Sequence, residues 1–96
     1  MIQITCIKKD GGNHENRHVA ISTLGWIDVQ TGQRGRSSRI EMYDFIKQGG
    51  HAFVQDAAGD KAYLMIATTV FGIKFVKTVP DTTKADNLLM LPECLG

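Results

Sequence analysis

Three arginines fall within six positions, at Arg34, Arg36 and Arg39, with Gly35, Ser37 and Ser38 between them. A guanidinium offers planar, paired donors that suit phosphate or carboxylate. The segment runs into a predicted helix N-terminus, whose free N–H groups also favour an anion. Lys8, Lys9 and Arg17 would extend the basic patch if the fold brought them near. The chemistry on offer is the binding of an anion, a phosphate ligand or a nucleic-acid backbone. A charged loop that is simply solvated is the competing reading. No aromatic residue interleaves with the arginines, so a base-stacking platform is not indicated. Nucleic acid held this way would be gripped by its backbone and poorly read in sequence.

A second cluster is His14, Glu15 and His18. The run His14-Glu15-Asn16-Arg17-His18 matches the letters H-E-x-x-H, in which two imidazoles hold zinc and a glutamate polarises water. That pattern needs a long apolar-faced helix and a third ligand. Here Gly11, Gly12 and Asn13 precede it, and His51 is the only other histidine. A metal-dependent hydrolase through His14, Glu15 and His18 is therefore a third-ranked expectation, with local packing the plainer role for His18. Cys94 as a nucleophile would need a base such as His51, and a tail is a poor rigid mount for it. Gly32 and Gly35 do not follow a strand in a phosphate-loop pattern. No cofactor is expected.

These residues belong to a short chain. Ninety-six residues allow one domain, expected here over 1–96, and a core of thin margin. Hydrophobic content of 43% and charged content of 22% are those of an ordinary globular protein. A net charge of +1 gives no bulk polyanion affinity, so any steering must be local. No run of 18 apolar residues exists to span a membrane, and the N-terminus lacks the order of a signal peptide. The expected location is cytoplasmic. Cys6 and Cys94 are then expected as free thiols, a bridge being the alternative that sequence cannot test.

The positioning elements are easiest to read in the middle of the chain. Ser38 with Glu41 forms a capping-box pattern ahead of Ile40, Met42, Tyr43, Phe45 and Ile46 at helical spacing. Gly49-Gly50 supplies the stop, so a helix is predicted over roughly 38–48. Strands are predicted from Ile2 to Lys8, from Phe53, from Lys61 to Thr69 and from Ile73 to Val79. Within the first, Ile2, Ile4 and Cys6 alternate with Gln3, Thr5 and Ile7. His18 to Leu24 fits either a helical turn or a short strand, and Trp26 is an apolar anchor after it. Residues 30–39 carry no apolar side chain and two glycines, which predicts an exposed, mobile basic loop. Leu88, Leu89, Met90 and Leu91 should dock on the core. The expected fold is α+β and two-layered, with about four mainly antiparallel strands and one principal helix on one face. The first strand is placed at an edge or beside the last strand.

The chain also resembles a bacterial family of small domains of unknown function. The resemblance rests on Ile4-Thr5-Cys6-Ile7-Lys8-Lys9, on His18-x-x-Ile21, on the helix ending in Gly49-Gly50 and on Phe75-Val76-Lys77-Thr78. It closes on Asp86-Asn87-Leu88-Leu89-Met90-Leu91-Pro92-Glu93-Cys94, its most specific element. Family members tend to have Tyr at Phe75 and an Ala-Asp-Gly turn at Val79-Pro80-Asp81. The resemblance implies fold boundaries and no activity. Asp86, Asn87 and Cys94 read as structural in that tail. The leading functional expectation is a non-enzymatic interaction module that presents residues 30–39, and an exposed strand edge, to another protein. Nucleic acid is the second partner class, and sheet edges leave room for a homodimer.

Overall fold

The computed structural model describes residues 1–10, 18–55, 59–79, 88 and 91–94. Six strands and one helix follow in the order β1 (Ile2–Lys9), β2 (Ile21–Asp28), β3 (Arg34–Ser38), α1 (Arg39–Lys47), β4 (Ala52–Gln55), β5 (Lys61–Thr68) and β6 (Lys74–Thr78). They form one sheet in the order β3-β2-β1-β4-β5-β6. Every neighbouring pair is antiparallel except β1 with β4. The α+β class, the mostly antiparallel sheet and the single principal helix on one face are as expected.

Two details of the expectation are corrected. The described residues form six strands where about four were expected, because 21–28 is a full strand and the basic segment supplies another. β1 is also not at an edge. It lies centrally, with β2 on one side and β4 on the other. Further along that second side, the C-terminal segment takes over from β4. Ile7 donates its N–H to the Pro92 carbonyl at 3.0 Å, and Cys94 donates to the Ile7 carbonyl at 3.0 Å.

A register shift between Ile4 and Cys6 decides which β1 side chains reach the core. Strict alternation would point Cys6 inward with Ile2 and Ile4, and Ile7 outward. The bulge inverts that order. Ile7 is buried opposite Leu24, and Cys6 turns to the other face opposite Gly25.

The helix is closed at both ends as its sequence requires. Glu41 donates its N–H to Ser38 Oγ at 3.1 Å, and Ser38 donates its N–H to Glu41 Oε1 at 2.8 Å. The bond from the Ser38 backbone N–H, and a lesser one from its side chain, hold the Glu41 carboxyl below its ordinary range. At the other end, Gly49 (φ 102°) donates to the Ile46 carbonyl and Gly50 to the Phe45 carbonyl, a Schellman closure.

Met42 and Tyr43 bury the helix against a core of Ile4, Ile7, Leu24, Val54, Leu64, Val76 and Leu88. Leu88 therefore docks as expected. Five strand spacings would set β3 and β6 roughly 24 Å apart in a flat sheet, yet α1 touches β2, β3, β5 and β6. The sheet must curl around the helix. Arg39 bridges β6 and the segment ahead of β2. Its guanidinium donates from Nε to the Lys74 carbonyl at 2.9 Å and from Nη1 to the Val19 carbonyl at 2.6 Å.

Candidate functional site

The three arginines fall on two elements, Arg34 and Arg36 on β3 and Arg39 at the start of α1. The segment expected as a mobile loop is a hydrogen-bonded turn followed by an outer strand. Asp28 Oδ1 accepts from the N–H of Gln30 at 2.8 Å, and Gly32 (φ 76°) donates its N–H to the Asp28 carbonyl at 2.8 Å. β3 then pairs with β2 from Thr23↔Ser38 to Ile27↔Arg34. The missing apolar signal has a local explanation. The positions of β3 that share a face with the Trp26 ring are Gly35 and Ser37. A Cβ on Gly35 would fall 2.8 Å from Trp26 Cη2 and 2.9 Å from Cε2, so only glycine fits beneath the ring. Trp26 Nε1 donates to Ser37 Oγ at 3.1 Å. The apolar cover of β3 is thus contributed by β2.

Arg34 and Arg36 alternate with those two residues and project from the opposite face. Both are exposed. Arg39 is separated from them. It opens α1, and its guanidinium donates to the carbonyls of Val19, ahead of β2, and of Lys74, at the start of β6.

The face that carries Arg34 and Arg36 holds an open cleft of about 280 Å³. Thr5 and Cys6 of the β1 bulge, Gly25, and the strand segment 34–36 contribute to its lining. Cys6 is not a free thiol. It forms a disulfide with Cys94, 88 positions away, with the Cα atoms 4.9 Å apart. This corrects the expectation of two free thiols. The physical reason is the pairing of the C-terminal segment with β1 at Ile7, which puts Cys94 beside the bulge. Gly25 makes room for the bridge, since a Cβ there would collide with Cys6 Sγ and lie 3.1 Å from Cys94 Sγ. The two sulfurs differ in access. Cys94 is 5% exposed, whereas Cys6 is half-buried and lines the cleft.

His14 and Glu15 lie outside the described residues, as do Arg17, Asp86 and Asn87. His18 stacks on Phe75 with ring centroids 5.8 Å apart, which gives it a packing role and gives Phe75 a buried one. His51 is exposed ahead of β4, and its carbonyl accepts from Ile2 N–H at 3.1 Å. Among the described residues no group of three or more His, Cys, Asp or Glu side chains is placed to hold a metal. No helix among them is long and apolar enough to cross a membrane.

A feature of the opposite sheet end escaped the sequence reading. The β5–β6 turn places Val70 and Phe71 at 94% and 81% exposure. Thr69 organises it, its Oγ1 accepting from the N–H of Phe71 at 3.2 Å and of Ile73 at 3.1 Å.

The molecule is therefore a small α+β domain with a mixed, mostly antiparallel sheet and one principal helix on one face. The chain belongs to the family described as protein of unknown function (DUF3892), whose model matches residues 3–92. That span contains Cys6, Gly25, Arg34 and Arg36 and stops before Cys94. Comparison with curated proteins and with solved structures gives no match.

Proposed function

We propose that this domain is a non-enzymatic binding module that takes an extended acidic segment of another protein along the outer edge of β3. The observation that carries the reading is the placement of Arg34 and Arg36 at alternate positions of an outer strand, beside a cleft on the same face. A strand at a sheet edge directs alternate backbone N–H and C=O groups away from its neighbour, and an incoming strand pairs with them. Such a partner repeats its side chains every second residue, which is also the spacing of the two guanidiniums. Carboxylates at alternate positions of the partner would meet them as paired donors.

A nucleic-acid backbone is the second reading, favoured by the same two arginines. Salt separates the two. Binding to a phosphate backbone releases condensed counterions and weakens steeply as salt rises. Strand pairing retains its backbone hydrogen bonds. The test is a titration of the oxidised domain with an acidic β-forming peptide and with a single-stranded oligonucleotide, at low and moderate salt. Peptide affinity that weakens only modestly at moderate salt, and falls in the Arg34→Gln/Arg36→Gln double variant, supports the module. Oligonucleotide binding with a steep salt slope, and no peptide binding, overturns it in favour of the backbone reading.

A further inference from the structure

The bridge between Cys6 and Cys94 occupies an unusual place for a purely structural staple. One of its sulfurs belongs to a residue that lines the cleft beside Arg34 and Arg36, and the other belongs to a residue sealed inside the fold. Thiol–disulfide exchange begins with a thiolate reaching one sulfur, and access decides which sulfur is attacked. Here access favours Cys6. The attacking group is an anion, and the cleft carries two cations. We propose that Cys6 is a site of reversible mixed-disulfide formation with a low-molecular-weight thiol that bears carboxylates. The assignment relies on the same two arginines as the binding reading above, but on a different ligand.

The step balances without an added oxidant or reductant. The thiolate sulfur of the small molecule bonds to Cys6 Sγ, and the Cys6–Cys94 bond breaks. The electron pair leaves on Cys94 Sγ, which takes a proton from water. One disulfide is consumed and one is formed. Carboxylates on the incoming thiol pair with Arg34 and Arg36 and hold its sulfur at the cleft. Cys94 stays close, because its N–H is bonded to the Ile7 carbonyl and Pro92 accepts from Ile7 independently of the bridge. Its thiolate can then attack the mixed disulfide at Cys6, expel the small thiol and restore the original bond. Cys6 is the capture sulfur and Cys94 the resolving one. The opened form differs at the floor of the cleft, so the exchange would also alter what the β3 edge can accept.

The experiment exposes the intact, oxidised chain to mercaptosuccinate, to 2-mercaptoethanol and to cysteamine at matched thiolate concentration. Samples are quenched in acid, adducts are quantified by mass spectrometry and located by peptide mapping. The dicarboxylate thiol should react about three- to tenfold faster than the neutral one, the scale of one or two exposed ion pairs. The cationic thiol should be slowest. The adduct should sit on Cys6. The preference should vanish in the Arg34→Gln/Arg36→Gln variant, and should shrink in the unaltered chain as salt rises. An adduct on Cys94, no adduct with any thiol, equal rates, or a preference that survives loss of both arginines would overturn the proposal. Peptide affinity of the oxidised chain is measured separately. Lost thiol preference with intact peptide binding sinks only this inference, and the converse sinks only the binding reading.

Discussion

β3 and β6 close the two ends of one curled sheet with opposite chemistry. β3 contains no apolar side chain, yet it is firmly placed, because Trp26 of β2 covers Gly35 and bonds Ser37. β6 begins after a turn whose Val70 and Phe71 are apolar and almost wholly exposed. Apolar content thus says little about either end taken alone. What places an outer strand is whether its neighbour supplies cover. The means of attachment differ as well. The β3 side of the sheet is next to a covalent bridge between β1 and the C-terminal segment, whereas β6 is tied back by the guanidinium of Arg39.

The strongest way to break that contrast is to reduce the bridge. A cross-link spanning 88 positions restricts the unfolded chain by about 4–5 kcal/mol in the chain-entropy model. Reduced protein should therefore unfold at markedly lower urea than oxidised protein, and the Cys94→Ser variant should match the reduced form. Equal midpoints would show that hydrogen bonds at Ile7 hold the C-terminal segment without covalent help.

Trp26→Ala should follow in size. Truncating a large aromatic that packs on the core costs about 3 kcal/mol. The loss should be uneven, with the β3 amides losing hydrogen-exchange protection before those of β5 and β6. Uniform loss would mean that β3 does not depend on its cover.

Arg39→Ala tests the other end. Two hydrogen bonds from a charged donor, one of them partly buried, are together worth about 2 kcal/mol. Deprotection should centre on β6 near Lys74. Replacement by lysine should restore little, since one ammonium cannot reproduce the fork that reaches both carbonyls.

The parts of this molecule that sequence revealed are those whose signals are local. The α1 boundaries follow from Ser38, Glu41 and Gly49, each of which acts within one turn. The strand β5 follows from its apolar run, and β6 from the alternation of residues 73–79. The parts that sequence hid depend on a partner distant in the chain. β3 needs Trp26, the inversion of Cys6 and Ile7 needs the bulge opposite Gly25, and the bridge needs Cys94 to arrive beside β1. The three arginines looked equivalent because they share a short segment. Alternation on a strand keeps Arg34 and Arg36 together, while the start of the helix turns Arg39 toward Val19 and Lys74. No feature of the sequence near Arg39 announces that role.

The smallest expected effect concerns the β5–β6 turn. Val70 and Phe71 are 94% and 81% exposed, so replacing both by serine removes almost no buried surface. The turn itself is held by Thr69, whose hydroxyl accepts from two backbone N–H groups, and by Gly72, whose φ is 82°. None of those contacts uses the two apolar side chains. The Val70→Ser/Phe71→Ser variant should match the parent in urea midpoint to within about 0.5 kcal/mol, the usual range for exposed positions. A loss several times larger would mean that this turn is covered in the folded protein after all. The two sheet ends would then be alike, each depending on cover that its own strand does not carry.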